Sequence, residues 1–169
     1  MIRIALPTGD LRSDTAAALD AGGIGIADYA AGSRALRFEM LEGAAIARVF
    51  RERDIPVQVA LGAYDVGICG SSWAEELSQR FPGHDVVRLR DLGYGGHGLW
   101  LAAASDTAQS TVRIVSEYPN IAETIARRLR LRRYRVFPVW GAAEAYPPED
   151  ADIALVAAAD AAAVEALGR

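Results

Sequence analysis

The sequence encodes an α/β fold, a largely parallel sheet with helices on both faces. Short β-rich runs alternate with helix-period segments along the 169 residues, the pattern that parallel strands and their crossover helices leave in a chain. Glycine or proline marks most of the junctions. A third observation is the unit Asp54-Ile-Pro-Val-Gln-Val-Ala-Leu-Gly-Ala-Tyr-Asp-Val-Gly-Ile-Cys-Gly70, which sets a short helix, a glycine stop, a buried strand and a glycine-bounded loop in one stretch. A ligand mouth in an open α/β sheet is built from such parts.

Ile2-Arg-Ile-Ala-Leu6 predicts the first strand, and a Pro-Thr-Gly turn leads to a helix over 11–21 with Leu11, Ala18 and Leu19 on one face. Gly22, Gly23 and Gly25 break that helix, after which Leu36, Phe38 and Met40 alternate as in a half-exposed strand. Residues 44–50 read as a strand feeding Arg51. In the next unit Pro56 suits the first helical turn, Asp54 stands near the cap, Gly62 ends the helix, and 64–69 is a short strand. Gly70-Ser71-Ser72 follows, where bare amides and helix N-termini receive anions. A helix over 72–80 stops at Pro82-Gly83, and 86–89 reads as a strand. Gly93-Tyr-Gly-Gly-His-Gly98 is permissive enough for a hinge between two lobes. Strands at 99–103 and 112–116 precede a helix over 120–131, opened by a capping-box pair, Asn120 and Glu123. Residues 134–140 form the next strand, 141–144 a turn and 153–156 a last buried strand, and the alanine-rich tail from Ala157 is helix-prone.

With 51% apolar and 24% charged residues the chain has material for a substantial core. No apolar run has the length of a membrane span, and the first seven residues run straight into a strand rather than a signal peptide, so the expected location is the cytoplasm. Cys69, the single cysteine, sits in an apolar strand and reads as a buried structural thiol. His84 and His97 lie in separate loops without ligand-spaced partners, so no metal site is expected from them. A net charge of −4 argues against a nucleic-acid surface. Arg127, Arg128, Arg130, Arg132, Arg133 and Arg135 run the other way, read either as a solvated helix end or as a nucleotide or partner patch.

Several segments together resemble the catalytic subunit of ATP phosphoribosyltransferase, the first enzyme of histidine biosynthesis, in its short form. Ala5-Leu-Pro-Thr-Gly-Asp-Leu11 is similar to the family's A-L-P-K-G-R-L, and Arg51 with Asp54-Ile-Pro56 to R-x-x-D-[IV]-P. Residues 62–70 resemble G-x-A-D-[IL]-G-[IV]-x-G, Asp91-Leu-Gly-Tyr-Gly95 resembles D-[LF]-G-[FY]-G, Tyr118-Pro-Asn120 resembles the K-Y-P-N turn, and Gly141-Ala-Ala-Glu144 stands where the family has G-S-V-E. The resemblance implies a two-lobed fold like type II periplasmic binding proteins, with mixed, mostly parallel sheets flanked by helices and a cleft between lobes. Lobe 1 is then expected over 1–92, lobe 2 over 93–150, and 151–169 as a return segment to lobe 1. It further implies transfer of phosphoribosyl from phosphoribosyl pyrophosphate to N1 of ATP, magnesium accompanying the polyphosphates, a homodimer, and a regulatory partner resembling histidyl-tRNA synthetase. The substrate-binding residues it implies are Gly9, Arg51, Asp65, Gly70, Ser71, Tyr118 and Glu144. No residue is assigned a covalent catalytic part. Each also has a structural reading: Gly9 and Gly70 as turn glycines, Asp65 as a loop cap, and Tyr118-Pro119 as a turn with a packed ring.

The departures from the family pattern concern charge. The Lys and Arg of the opening turn are Thr8 and Asp10, the Arg after the hinge is Gly98, and the Lys before Tyr-Pro-Asn is Glu117. The pyrophosphate loop, E-x-G-x-T or T-G-x-T, should fall at about 159–163, where this chain has Ala159-Asp160-Ala-Ala-Ala163. Exchanging a cation for an anion beside a phosphate shifts the interaction by a few kcal/mol at an effective dielectric of about 20, and each ~1.4 kcal/mol is tenfold in affinity. Arg12, Arg34, Arg37 and Arg113 are the cations that could stand in. Three functions follow: an active or partner-dependent phosphoribosyltransferase, a non-catalytic relative binding a small ligand or serving as a regulatory or assembly subunit, and an enzyme moved to another nucleophile or sugar phosphate. Ser72-Trp73 and Val139-Trp140 are candidate contact surfaces.

Overall fold

Hydrophobic alternation builds the first sheet. The computed structural model describes residues 1–83, 86–103 and 111–167, and the chain divides into two units, Met1–Gly95 and Gly96–Arg169. In the first, β1 (Ile2–Pro7), β3 (Ala45–Phe50) and β4 (Val66–Gly67) run parallel, and β2 (Arg37–Met40) closes one side antiparallel, in the order β2-β3-β1-β4. Phe38 and Met40 of β2 and Ala45, Ala47 and Val49 of β3 turn inward on the two-residue period of a strand. They meet Leu6, Ala16, Leu19 and Tyr29 in one core. The helices are α1 (Leu11–Ala21), α2 (Ala27–Ala30), α3 (Ile55–Ala60) and α4 (Ser71–Arg80). Tyr29 is fully buried on α2, donates its hydroxyl to the Pro7 carbonyl at 2.7 Å and meets Phe38 edge to face. A buried phenol needs such a partner.

The second unit has its own sheet, β5 (Gly98–Ala103), β6 (Val112–Ser116), β7 (Tyr134–Pro138) and β8 (Ile153–Ala158), ordered β5-β8-β6-β7 with only β5 antiparallel to its neighbour. Helices α5 (Pro119–Arg128) and α6 (Ala161–Leu167) follow β6 and β8. Val115, Val139, Ala143, Ala151, Ala154 and Val156 make its core, with Trp100 packed against them. The fold class is therefore α/β with two mixed, mostly parallel sheets flanked by helices.

One device recurs in both sheets. Arg3, early in β1, donates its backbone N–H to Asp65 Oδ2 at 2.8 Å and its guanidinium to the same carboxylate at 2.7 and 3.2 Å, while the Asp65 N–H returns to the Arg3 carbonyl at 2.9 Å. Arg113, early in β6, makes the same set to Asp152 at 2.7, 3.1 and 3.3 Å, and the Asp152 N–H returns to the Arg113 carbonyl at 3.0 Å. Each aspartate immediately precedes a strand parallel to its partner, β4 or β8, so each clamp fixes a strand register.

The structure departs from the sequence reading at four points. Strand β8, in the segment expected to return to the first lobe, lies between β5 and β6 in the second unit's sheet, clamped by Arg113 and paired on both edges. Residues 86–89 join neither sheet: among the described residues no strand pairs with them, and Asp91 takes the Arg88 guanidinium at 2.8 Å and the Gly93 N–H at 2.9 Å. Helix α5 starts at Pro119 with Tyr118 as its cap, one residue before the expected start, and Glu123 accepts the Arg127 guanidinium four residues onward at 2.6 Å. Strand β4 is also shorter than 64–69, two residues long.

Gly67 lets α3 lie against β4. A methyl group there would overlap Ile55 Cγ2 and come within 3.1 Å of Val59 Cγ2. Gly67→Ala is expected to destabilise the protein by about 1–3 kcal/mol through overpacking, read as a lower urea midpoint at unchanged m-value.

Candidate functional site

Strand order places a crevice in each unit. From β1 the chain travels to the β2-β3 side, and from β3 it passes to β4 beyond β1. Such a reversal opens space outside the carboxyl ends of the two adjacent parallel strands, where open α/β sheets bind ligands. Thr8, Gly9 and Asp10 follow β1, Arg51 and Glu52 follow β3, and Cys69, Gly70 and Ser71 follow β4. The Thr8 N–H donates to the Phe50 carbonyl at 2.8 Å and ties the first two loops together. Gly9 has φ of 76°, left-handed backbone that glycine adopts without strain. The structure thus gathers Gly9, Arg51, Gly70 and Ser71 on one edge.

Arg51 is exposed and enters no ion pair among the described residues. Beside it is a residue the sequence reading missed. Glu52 Oε2 accepts the Gly70 N–H at 3.2 Å, at the entry to α4. Helix N-termini attract anions, and here the chain supplies its own carboxylate. The available signal was position, one residue past Arg51. Burial, with the Glu52 charge adding to it, pushes the Cys69 thiol up to about 11. Burial likewise raises the Tyr29 phenol to about 12, Glu52 contributing a small part.

Asp65 is not brought to this edge. It sits at the opposite, amino end of the sheet in the Arg3 clamp, whose hydrogen bonds hold its carboxyl down at about 2. Of the four arginines that could stand in for missing cations, two are engaged. Arg12 lies 4.8 Å over the Tyr29 ring and donates to the Tyr29 and Ser33 carbonyls, and Arg113 holds Asp152. Arg37 faces Arg48 across β2 and β3, and Arg34 is exposed.

In the second unit β6 connects onward to β7 while β8 lies on its other side, so the corresponding crevice opens at the ends of β6 and β8. A hollow of about 70 Å³ lies there, lined by Glu117, Tyr118, Ala142, Ala143, Glu144 and residues 155–157. It brings together Tyr118 and Glu144. Tyr118 is buried, its N–H donating to Ser116 Oγ at 2.9 Å, and the Ser116 hydroxyl donates to the Leu155 carbonyl at 2.8 Å, which joins the β6 end to β8. Glu144 enters no ion pair among the described residues. Glu117, read from sequence only as a lost cation, also lines the hollow. Beyond β8, Asp160 Oδ1 accepts the Ala163 N–H at 2.8 Å, so the expected pyrophosphate-loop position carries a carboxylate bonded to its own backbone.

Among the described residues no group of three or more His, Cys, Asp or Glu comes together as a metal site, and His84 lies outside those residues. No described helix is long and apolar enough to cross a membrane. Of the arginine run, Arg127 pairs with Glu123, and Arg128, Arg130, Arg132, Arg133 and Arg135 are exposed. Trp140 is 67% exposed and Trp73 half-buried.

Comparison with known proteins places this geometry. The family model described as HisG, ATP phosphoribosyltransferase, matches residues 51–158. The ATP phosphoribosyltransferase of Haloarcula marismortui is 33% identical over 156 residues, covering 88% of this chain and 53% of its own. That of Rubrobacter xylanophilus is 31% identical over 155 residues, covering 86% and 68%. The chain thus spans about half to two thirds of the length of these curated relatives. Among solved structures, the ATP phosphoribosyl transferase (HisG:HisZ) complex from Thermotoga maritima matches with a TM-score of 0.79 and 17% identity over 99% of this chain and 79% of that one. At that identity the likeness is one of fold.

The two perturbed groups give separate tests. Asp65 has a folded value below its ordinary 3.8, so its contribution to stability is present above that value and is lost as pH falls through about 2. Asp65→Asn should flatten the acid limb of the stability curve in that window, measured by denaturant titration at stepped pH, while leaving ligand affinity unchanged. Alkylation of native Cys69 by iodoacetamide should be slow at neutral pH and accelerate only as pH approaches about 11, followed by mass spectrometry.

Proposed function

The chain belongs to the HisG ATP phosphoribosyltransferase family, and from that membership we propose that it is an ATP phosphoribosyltransferase-like subunit whose own turnover is weak or partner-dependent. The reaction is transfer of phosphoribosyl from phosphoribosyl pyrophosphate to N1 of ATP, the first step of histidine biosynthesis. The N1 lone pair attacks the anomeric carbon and pyrophosphate departs. Such a reaction asks the protein for alignment and for stabilisation of the leaving anion. Arg51 would hold an anionic group, Gly9 would offer open backbone, Gly70 a close approach beside an amide that Glu52 already holds, Ser71 a hydroxyl, and Tyr118 with Glu144 the wall of the second crevice. Asp65 is left out, being engaged with Arg3.

The observation that carries the reading is Asp160 on the Ala163 amide, a carboxylate in the place of the phosphate loop. Glu117 and Glu144 at the hollow, and Asp10 and Glu52 near Arg51, point the same way. Magnesium would enter with the polyphosphates, the described residues gathering no group of three or more His, Cys, Asp or Glu. The Thermotoga neighbour is a two-component complex, which supports a regulatory partner resembling histidyl-tRNA synthetase. A homodimer and a cytoplasmic setting complete the proposal, with Trp140 available for contact.

A second reading has one observation in its favour. Two glutamates on one small hollow suit a small hydroxylated or cationic ligand better than a polyphosphate, as in a non-catalytic, ligand-binding or regulatory relative.

The deciding measurement is N1-phosphoribosyl-ATP formation by the purified chain, with and without a candidate regulatory subunit. The chain alone is expected to be at least about a hundredfold slower than a complete family enzyme, the equivalent of two tenfold losses. Fast turnover by the chain alone overturns the proposal. Calorimetry with magnesium phosphoribosyl pyrophosphate separates the two readings: micromolar binding supports the phosphoribosyltransferase, and silence supports the ligand-binding relative.

A further inference from the structure

We infer that Glu52 sets the charge selectivity of the first unit's crevice, its carboxylate holding the place a phosphate oxygen would take and so turning polyanions away. The inference deepens the reading above and rests on it for the choice of ligand. Its geometry is independent of the second unit.

Glu52 follows β3 and Gly70 follows β4, and β1 lies between those strands. The Glu52–Gly70 hydrogen bond therefore spans the carboxyl end of the central strand, beside the Thr8-Gly9-Asp10 turn. The bonded amide is the one at the entry to α4, a helix of 10 residues. An ionised carboxylate only accepts hydrogen bonds, so an amide committed to it is closed to a phosphate. A second anion brought to the same amide would meet Glu52 at contact distance in a part-buried setting, where repulsion is poorly screened. A methyl on residue 70 would stand 3.2 Å from Glu52 Oε2, so the carboxylate lies directly against the backbone there. The charge adds to the rise of the Cys69 thiol, next to Gly70, and in small part to that of the buried Tyr29 phenol, whose hydroxyl holds the end of β1. Arg51 is the neighbouring cation in the chain.

The test uses the full chain and inorganic pyrophosphate at fixed, low ionic strength. Glu52→Gln keeps the shape and leaves a carbonyl to accept the Gly70 N–H, while removing the charge. It is expected to bind pyrophosphate about tenfold tighter or more than the unchanged chain. Glu39→Gln makes the same charge change at an exposed position on β2 and should leave the affinity as it was. Glu52→Ala, which opens the amide altogether, should gain at least as much as Glu52→Gln. Cys69 should titrate lower in Glu52→Gln than in the unchanged chain, which reports that the lost charge lay at this crevice. The inference is overturned if folded Glu52→Gln binds pyrophosphate no better than Glu39→Gln, or if both gain equally. Should Glu52→Ala fail to fold, the isosteric pair still decides. Fast phosphoribosyl transfer by the unchanged chain would sink the reading of weak turnover and leave this comparison standing.

Discussion

In both sheets an arginine early in one strand grips the aspartate just before that strand's parallel neighbour, through the backbone and through the guanidinium at once. Parallel pairing has no tight hairpin to fix its register, and a slip by one residue would turn every inward side chain outward. The Arg3–Asp65 and Arg113–Asp152 clamps remove that freedom at the amino ends of the strands. The carboxyl ends are thereby positioned as well. Thr8, Arg51 and Gly70 share one edge because β1, β3 and β4 are held in step, and Tyr118 meets residues 155–157 because β6 and β8 are.

With the strands so fixed, the difference between this chain and its family pattern lies in which charges stand on those edges. Carboxylates occupy the amides that open toward them: Glu52 on Gly70 and Asp160 on Ala163. Glu117 and Glu144 line the remaining hollow. The sheets are laid down by apolar pattern and the charge at their carboxyl ends by a few polar side chains, a separation of fold from site that lets one change without the other.

Local signals were legible where local physics decides. The alternation of Phe38 and Met40, the glycine stops, Pro56 in a first turn and the helix after Gly70 all stand in the structure. What could not be read were choices made by distant partners. Residues 86–89 have strand propensity and no strand beside them. The segment from 151 has a buried strand's composition, and only pairing on both edges tells which sheet it enters. Asp65 read as a site residue because it shares a motif with Gly70, yet its partner lies 62 residues back. Glu52 was invisible for the same reason, since its meaning depends on an amide 18 residues onward. The family resemblance supplied Tyr118 and Glu144 together, which periodicity alone did not join.

The twin grips differ in one respect that bears on how the molecule comes apart. Their halves are 62 and 39 residues apart in the chain, a difference in tethering entropy of only about 0.4 kcal/mol. Water separates them instead: the Asp65 side chain is 43% exposed and that of Asp152 6%. Dissolved ions screen the open pair and scarcely reach the sheltered one. Rising salinity therefore weakens the Arg3–Asp65 grip more than the Arg113–Asp152 grip.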